Sequence, residues 1–177
     1  MTTATQSTTT ARTPTARDLH GRAFTVLARI LIQRLANIVP MDGLRTTLYR
    51  LSGVRIGRDV FIGEGVLFDK LTSQWIEIGD HSAIGARTII TAHQTIPTRS
   101  DLRKLYPDDV KRTVIEHDVW IMPGVIVTPG VRIGHHSVIA TGAVVHNDVP
   151  PFSLVVGGGF RVAKHLDPTQ FEEQARV

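Results

Sequence analysis

From residue 54 onward the apolar positions recur every six residues. Ile115, Ile121, Val127, Ile133, Ile139 and Val145 form one run; Ile56, Ile62 and Phe68 form a second; Ile78, Ile84 and Ile90 form a third. This period is neither that of a helix, 3.6, nor the alternation of a simple strand. It predicts a parallel β-helix in which each six-residue unit supplies one short strand and one turn. Three units close a triangular coil of about 18 residues, and each aliphatic residue stacks inside on its equivalent one coil away. The turns carry "IGRD", "IGDH" and "IGHH", small and polar residues suited to positive φ.

The period is interrupted twice. Phe68 and Ile78 are ten apart, a four-residue insertion that contains Asp69 and Lys70. Ile90 and Ile115 are 25 apart, which is one step plus 19 extra residues. A coil can extrude such a loop at a corner without disturbing its core, and long loops of this kind often carry function. The loop, residues 91–113, opens on His93 in "TAHQ" and holds the charged run "RSDLRKLYPDDVKR" with Tyr106. That run reads as a solvated loop or as a wall over an acceptor site.

Ahead of the repeat the pattern is helical. In "AFTVLARILIQRLANIV" (Ala23–Val39), Arg29, Gln33, Arg34 and Asn37 share one face, with Leu27, Ile30, Leu31, Leu35 and Ile38 elsewhere around it. Pro40 ends this helix, and a second short one is expected over Leu44–Gly53. The helices are expected to cap the open end of the coil. The alternative is a basic amphipathic helix, residues 23–39, touching a membrane surface. The expected organisation is therefore a disordered Thr-rich tail (1–17), a helical cap (18–53), the β-helix (54–156) and a C-terminal tail on the cofactor side (157–177).

Composition narrows the chemistry. The 177 residues contain no cysteine, which excludes disulfides, thiolate metal sites and a cysteine nucleophile and fits a reducing, cytoplasmic setting. The net charge of +4 suits an anionic small molecule or surface; no nucleic-acid motif is present. The helix is too short and too charged to span a bilayer. His93 is the one histidine placed where the coil exits into the long loop, and an imidazole suits general-base work near neutral pH. His81, His136 and His146 sit at turn positions and are expected at the surface. His117 and His135, 18 apart, are expected to stack on one corner.

The repeat, the extruded loop and the segment "VVHNDVPPFSLVVGGG" (Val144–Gly159) resemble the hexapeptide-repeat acyltransferases, above all the galactoside/maltose-type and polysaccharide-pathway sugar O-acetyltransferases. The resemblance covers roughly residues 51–165. It implies an all-β fold, a left-handed parallel β-helix with N-terminal helices and an extruded loop. It also implies a homotrimer with active sites between subunits, acetyl-CoA as co-substrate and a sugar or similar small molecule as acceptor. His93 matches the catalytic histidine. Asp69, Trp120 and Tyr106 are the expected acceptor-side residues. Met122, Pro123, Thr141, Gly158, Phe160, Arg161 and Lys164 fall on the donor side, with Arg161 and Lys164 toward the cofactor phosphates. No metal is expected.

This chain departs from the family pattern at "WIMPG" and "GGGFR". Pro123 lacks an N–H that the matching residue would supply. Met122 and Phe160 add bulk where smaller residues are usual. Two other readings therefore stay open. In one, the same trimer has an altered donor site and acts as a non-CoA enzyme or a binding protein. In the other, stacked histidines hold a metal as in the γ-class carbonic anhydrases, although the H-x4-H pair of that class is absent.

Overall fold

The computed structural model describes residues 23–95, 107–157 and 162–165. From Arg55 the chain winds as a three-sided coil with one sheet of parallel strands per side. The first side holds Arg55–Ile56, Ile76–Ile78, Thr113–Ile115 and Arg132–Ile133. The second holds Phe61–Ile62, Ala83–Ile84, Trp120–Ile121, Val138–Ile139 and Ser153–Val155, with Val162–His165 folded back antiparallel on its end. The third holds Leu67–Phe68, Ile89–Ile90, Ile126–Val127 and Val144–Val145.

The register follows the period of six. Ile56, Ile78, Ile115 and Ile133 pair in sequence on the first side. Ile62, Ile84, Ile121, Ile139 and Val155 do so on the second. Phe68, Ile90, Val127 and Val145 complete the third. Both insertions thus drop out of the stack, and the inward columns are almost wholly buried. Each buried isoleucine contributes on the order of 2 kcal/mol of transfer free energy. Coils approach so closely at the corners that a Cβ on Gly85 would overlap the backbone of Met122 and Pro123.

Alternate residues of each strand point outward, and the three sides differ there. The first presents Arg55, Glu77, Val114 and Arg132. The second presents Phe61, Ala83, Trp120, Val138 and Leu154, and the third Leu67, Ile89, Ile126 and Val144. Two of the three outer faces are apolar, with Phe61, Leu67, Trp120 and Ile126 exposed.

Two helices precede the coil: α1 (Ala23–Ile38) and α2 (Asp42–Leu51). The first coil has no earlier coil to pair its outer carbonyls, a sheet edge that must be covered. α2 supplies the donors. Arg45 bonds the Ile62 carbonyl at 2.7 Å, Thr46 the Val60 carbonyl at 3.3 Å and Tyr49 the Val66 carbonyl at 2.8 Å. Arg50 reaches the carbonyls of Ile56 and Gly57.

α1 turns its polar stripe inward. Arg29 donates to Gln74 at 2.6 Å, Gln33 to Ser52 at 3.4 Å, and Asn37 accepts from the Tyr49 hydroxyl at 2.9 Å. Leu27, Leu31, Leu35 and Ile38 are left on the outer face.

Candidate functional site

The long loop leaves the coil at the corner between the third and first sides. After Ile90 the chain runs through Thr91 and Ala92 to His93, and His93–Gln94 pairs antiparallel with Asp109–Val110 to close the base of the loop. One coil below, at the same corner, Asp69 follows Phe68, and its N–H donates to the Ile90 carbonyl at 3.0 Å. The four-residue insertion begins here. Its slack lets the chain double back through a short 3₁₀ turn, Ser73–Trp75, instead of crossing directly to the first side.

That turn aims Asp69 inward. Its Oδ1 accepts the N–H groups of Leu71 at 3.0 Å and Thr72 at 3.3 Å. Its Oδ2 accepts the N–H groups of Ala92 and His93, both at 3.1 Å, and meets Nδ1 of His93. The Asp69 side chain is only 1% exposed. A carboxyl surrounded by four backbone donors acts as an acceptor alone, the ionised form. Nδ1 of His93 must then be the donor, a tautomer assigned from the network, which leaves Nε2 to accept a proton.

The electrostatics agree. Burial pushes the Asp69 carboxyl up, but hydrogen bonds from His93 and Thr72, the charge of His93 and the Ala92 N–H outweigh it, so its pKa falls below the usual value. The hydrogen bond to Asp69 raises the His93 pKa above its ordinary value, against the opposing effect of burial. The His93 side chain stays 19% exposed, so the ring is held from one side and reachable from the other.

The expected acceptor-side residues separate. Asp69 bonds His93 and four backbone N–H groups. Trp120 stands on the outer face of the second side, half exposed. Tyr106 lies outside the described residues. On the donor side, Met122, Pro123 and Thr141 occupy the corner between the second and third sides, with Thr141 one coil beyond Pro123. The Met122 and Gly124 N–H groups are taken by the carbonyls of Ile139 and Ala86, each at 2.9 Å, and Pro123 has none to give. Gly158, Phe160 and Arg161 lie outside the described residues, and for Lys164 only the strand is described.

A second group of histidines lies on the corner between the first and second sides. The rings of His117 and His135 stack at 4.9 Å and 5°, and His136 stacks on Phe152 at 5.0 Å. His117 bonds Asp118 at 2.8 Å, and possible ligand atoms of His117, Asp118 and His136 come within 4.8 Å of one another. His117 and Asp118 are exposed, and burial moves the His136 pKa down. A shallow groove of about 920 Å³ runs along the first side past this corner; it does not reach His93, and its ion pairs Arg55–Glu77 and Arg132–Glu116 are internal.

The Asp69–His93 pair was not visible in the spacing, which separates the two by 24 positions. The available signal was coincidence: both interruptions of the period fall at one corner, in adjacent coils.

Comparison with known proteins concerns the repeat as a whole. The pattern described as bacterial transferase hexapeptide (six repeats) matches residues 112–147. A galactoside O-acetyltransferase of Lactococcus lactis is 37% identical over 121 residues, 66% of this chain and 58% of that protein. A putative acetyltransferase of Bacillus subtilis is 26% identical over 138 residues, 77% of this chain and 76% of that protein. Among solved structures, a hexapeptide-repeat acetyltransferase of Vibrio cholerae complexed with acetyl-coenzyme A aligns with a TM-score of 0.67 at 28% identity, covering 81% of this chain and 88% of that one. The chain therefore spans a little under three fifths of the galactoside relative and most of the other two.

Proposed function

We propose that the chain is a hexapeptide-repeat acyltransferase that moves an acetyl group from acetyl-CoA to a hydroxyl of a sugar or related small molecule, with His93 as general base. The observation that carries this reading is the His93–Asp69 pair. Asp69, saturated by backbone donors, fixes the ring by Nδ1 and leaves Nε2 as the basic atom.

An alcohol does not ionise near pH 7, so a base must take its proton as it attacks. Nε2 of His93 takes that proton while the acceptor oxygen bonds the thioester carbonyl carbon. The tetrahedral intermediate then expels the thiolate, and the imidazolium returns the proton to sulfur. The raised pKa of His93 makes it a stronger base, and Asp69 steadies the cation that forms.

The donor would lie along the corner of Met122, Pro123 and Thr141; Gly158, Phe160, Arg161 and Lys164 keep the donor-side roles proposed from the family resemblance, the last two for the phosphates. Two N–H groups of this corner are already engaged and Pro123 has none, so the exposed Thr141 is the residue there with a hydroxyl to offer. Trp120 and Tyr106 are the proposed acceptor-side residues.

The proposed assembly is a homotrimer of left-handed coils. Two apolar outer faces suit a chain that contacts two neighbours around a threefold axis, while the charged first side stays in water.

The test is acceptor-dependent release of CoA from acetyl-CoA over a panel of galactosides, glucosides and amino sugars. The expected result is CoA release with at least one hydroxylated sugar, and a mass of three chains by light scattering. No calorimetric binding of acetyl-CoA, and no release with any acceptor, would contradict it.

A further inference from the structure

α1 is amphipathic the wrong way round for a helix that packs on a protein core. Its polar residues Arg29, Gln33 and Asn37 are spent on the coil and on α2. Its leucines face out: Leu27 is 54% exposed, Leu31 58%, Leu35 48% and Ile38 77%. They recur at helical spacing, so they form one continuous stripe, with exposed Arg34 at its margin. Met41, Leu44 and Leu51, just beyond, are also exposed. Scattered surface leucines are ordinary; a stripe of four on one helix is not.

The charge distribution says what covers it. Residues 1–41 contain five arginines and one acid, Asp18, and residues 42–177 contain 15 basic and 15 acidic residues. The whole net charge of +4 therefore belongs to the segment that carries the apolar stripe. α1 itself contains no aspartate or glutamate. A symmetric second copy would set this acid-free face against itself with no counter-charge. A short helix with an apolar outer stripe, the exposed Arg34 at its margin and an arginine-rich stretch of sequence ahead of it matches an interfacial element that lies in the plane of a negatively charged bilayer. It does not span one: no helix among the described residues is long and apolar enough to do so.

We propose that the outer stripe of α1, Leu27, Leu31, Leu35 and Ile38, docks the protein on an anionic lipid surface. The cap then has two faces with different tasks. The polar face of α1 and the donors of α2 close the coil, and the leucines rest in the headgroup layer. A homotrimer would present three such helices and multiply a weak single contact. The docking itself does not depend on the reaction catalysed.

The test is flotation of the full-length protein with vesicles of phosphatidylcholine alone or mixed with phosphatidylglycerol. The wild type is expected to float with the mixed vesicles, to be released by high salt, and to ignore phosphatidylcholine alone. Leu31→Glu with Leu35→Glu lies on the exposed face, so the fold is retained, as circular dichroism and unchanged acetyl transfer to a soluble acceptor would verify. Its vesicle binding should fall at least tenfold. Because the chain has no cysteine, Ile38→Cys carrying a polarity-sensitive dye gives a second readout, a blue shift on mixing with the anionic vesicles. Failure of the wild type to float at low salt would overturn the proposal. So would flotation unaffected by the double substitution, or a wild-type oligomer that the double substitution splits while neither form binds vesicles, which would mean that a second copy covers the stripe.

Discussion

Two corners of one coil carry histidines, and their surroundings act on the ring in opposite directions. At the corner between the third and first sides, His93 stands opposite one buried carboxylate whose remaining lone pairs are filled by backbone. At the corner between the first and second sides, His117, His135 and His136 stand against one another and an exposed Asp118. The first environment raises a histidine pKa and the second, through burial, lowers one. Residue type and a corner of the coil are shared, so neither singles out a base. What distinguishes the proposed base is a buried carboxylate partner, held by backbone donors, that fixes the tautomer.

The largest effect expected from breaking this contrast is on turnover. His93→Gln should lower kcat by about 10² to 10⁴ with little change in Tm. His117→Asn or His136→Asn should leave kcat within about twofold under the same assay. If the two corners respond alike, the contrast is wrong.

Asp69→Asn should come next. An amide places a donor among N–H donors, so kcat should fall on the order of 10², with about 1 to 3 kcal/mol lost from stability in urea unfolding. An effect on the Michaelis constant of the acceptor alone, with kcat intact, would return Asp69 to acceptor binding.

A smaller effect separates the corners by the pH dependence of stability. His93 has a raised folded pKa, so its contribution is present below about pH 6.5 and is lost as pH rises through the folded value. His136 has a lowered folded pKa, so the folded state is penalised as pH falls below about 6.5. Scanning calorimetry across pH should show His93→Gln and His136→Asn tilting the Tm profile in opposite directions. Tilts of the same sign would contradict the assigned environments. Smallest of all, Asp118→Asn should change stability by less than about 1 kcal/mol in urea unfolding, because Asp118 is exposed and its nearest partner, His117, is half in water.

The fold was legible because a coil writes its core as a period. Twelve aliphatic or aromatic positions in three runs suffice to give its sides, its register and the place where the loop escapes. His93 was legible as the histidine at that escape. The role of Asp69 was not, since it depends on an irregular four-residue detour that turns the carboxylate inward, whereas the family resemblance implied a residue on the acceptor side. The inward face of α1 was also not legible. A helical wheel separates two stripes, but only the carbonyl edge of the first coil and the donors offered to it show that the polar stripe packs. Tyr106, Gly158, Phe160 and Arg161 lie outside the described residues.

The central claim is that His93, held by Asp69, is the base that activates the acceptor. The direct measurement is kcat/KM for acetyl transfer from acetyl-CoA to an active sugar, followed from about pH 5 to pH 9 in the wild type and in Asp69→Asn. The account predicts activity in the wild type that rises with pH on a limb above about 6.5, because the base must lose its proton, and a limb displaced downward in Asp69→Asn together with a lower plateau. A limb that stays in place when Asp69 is replaced would contradict it.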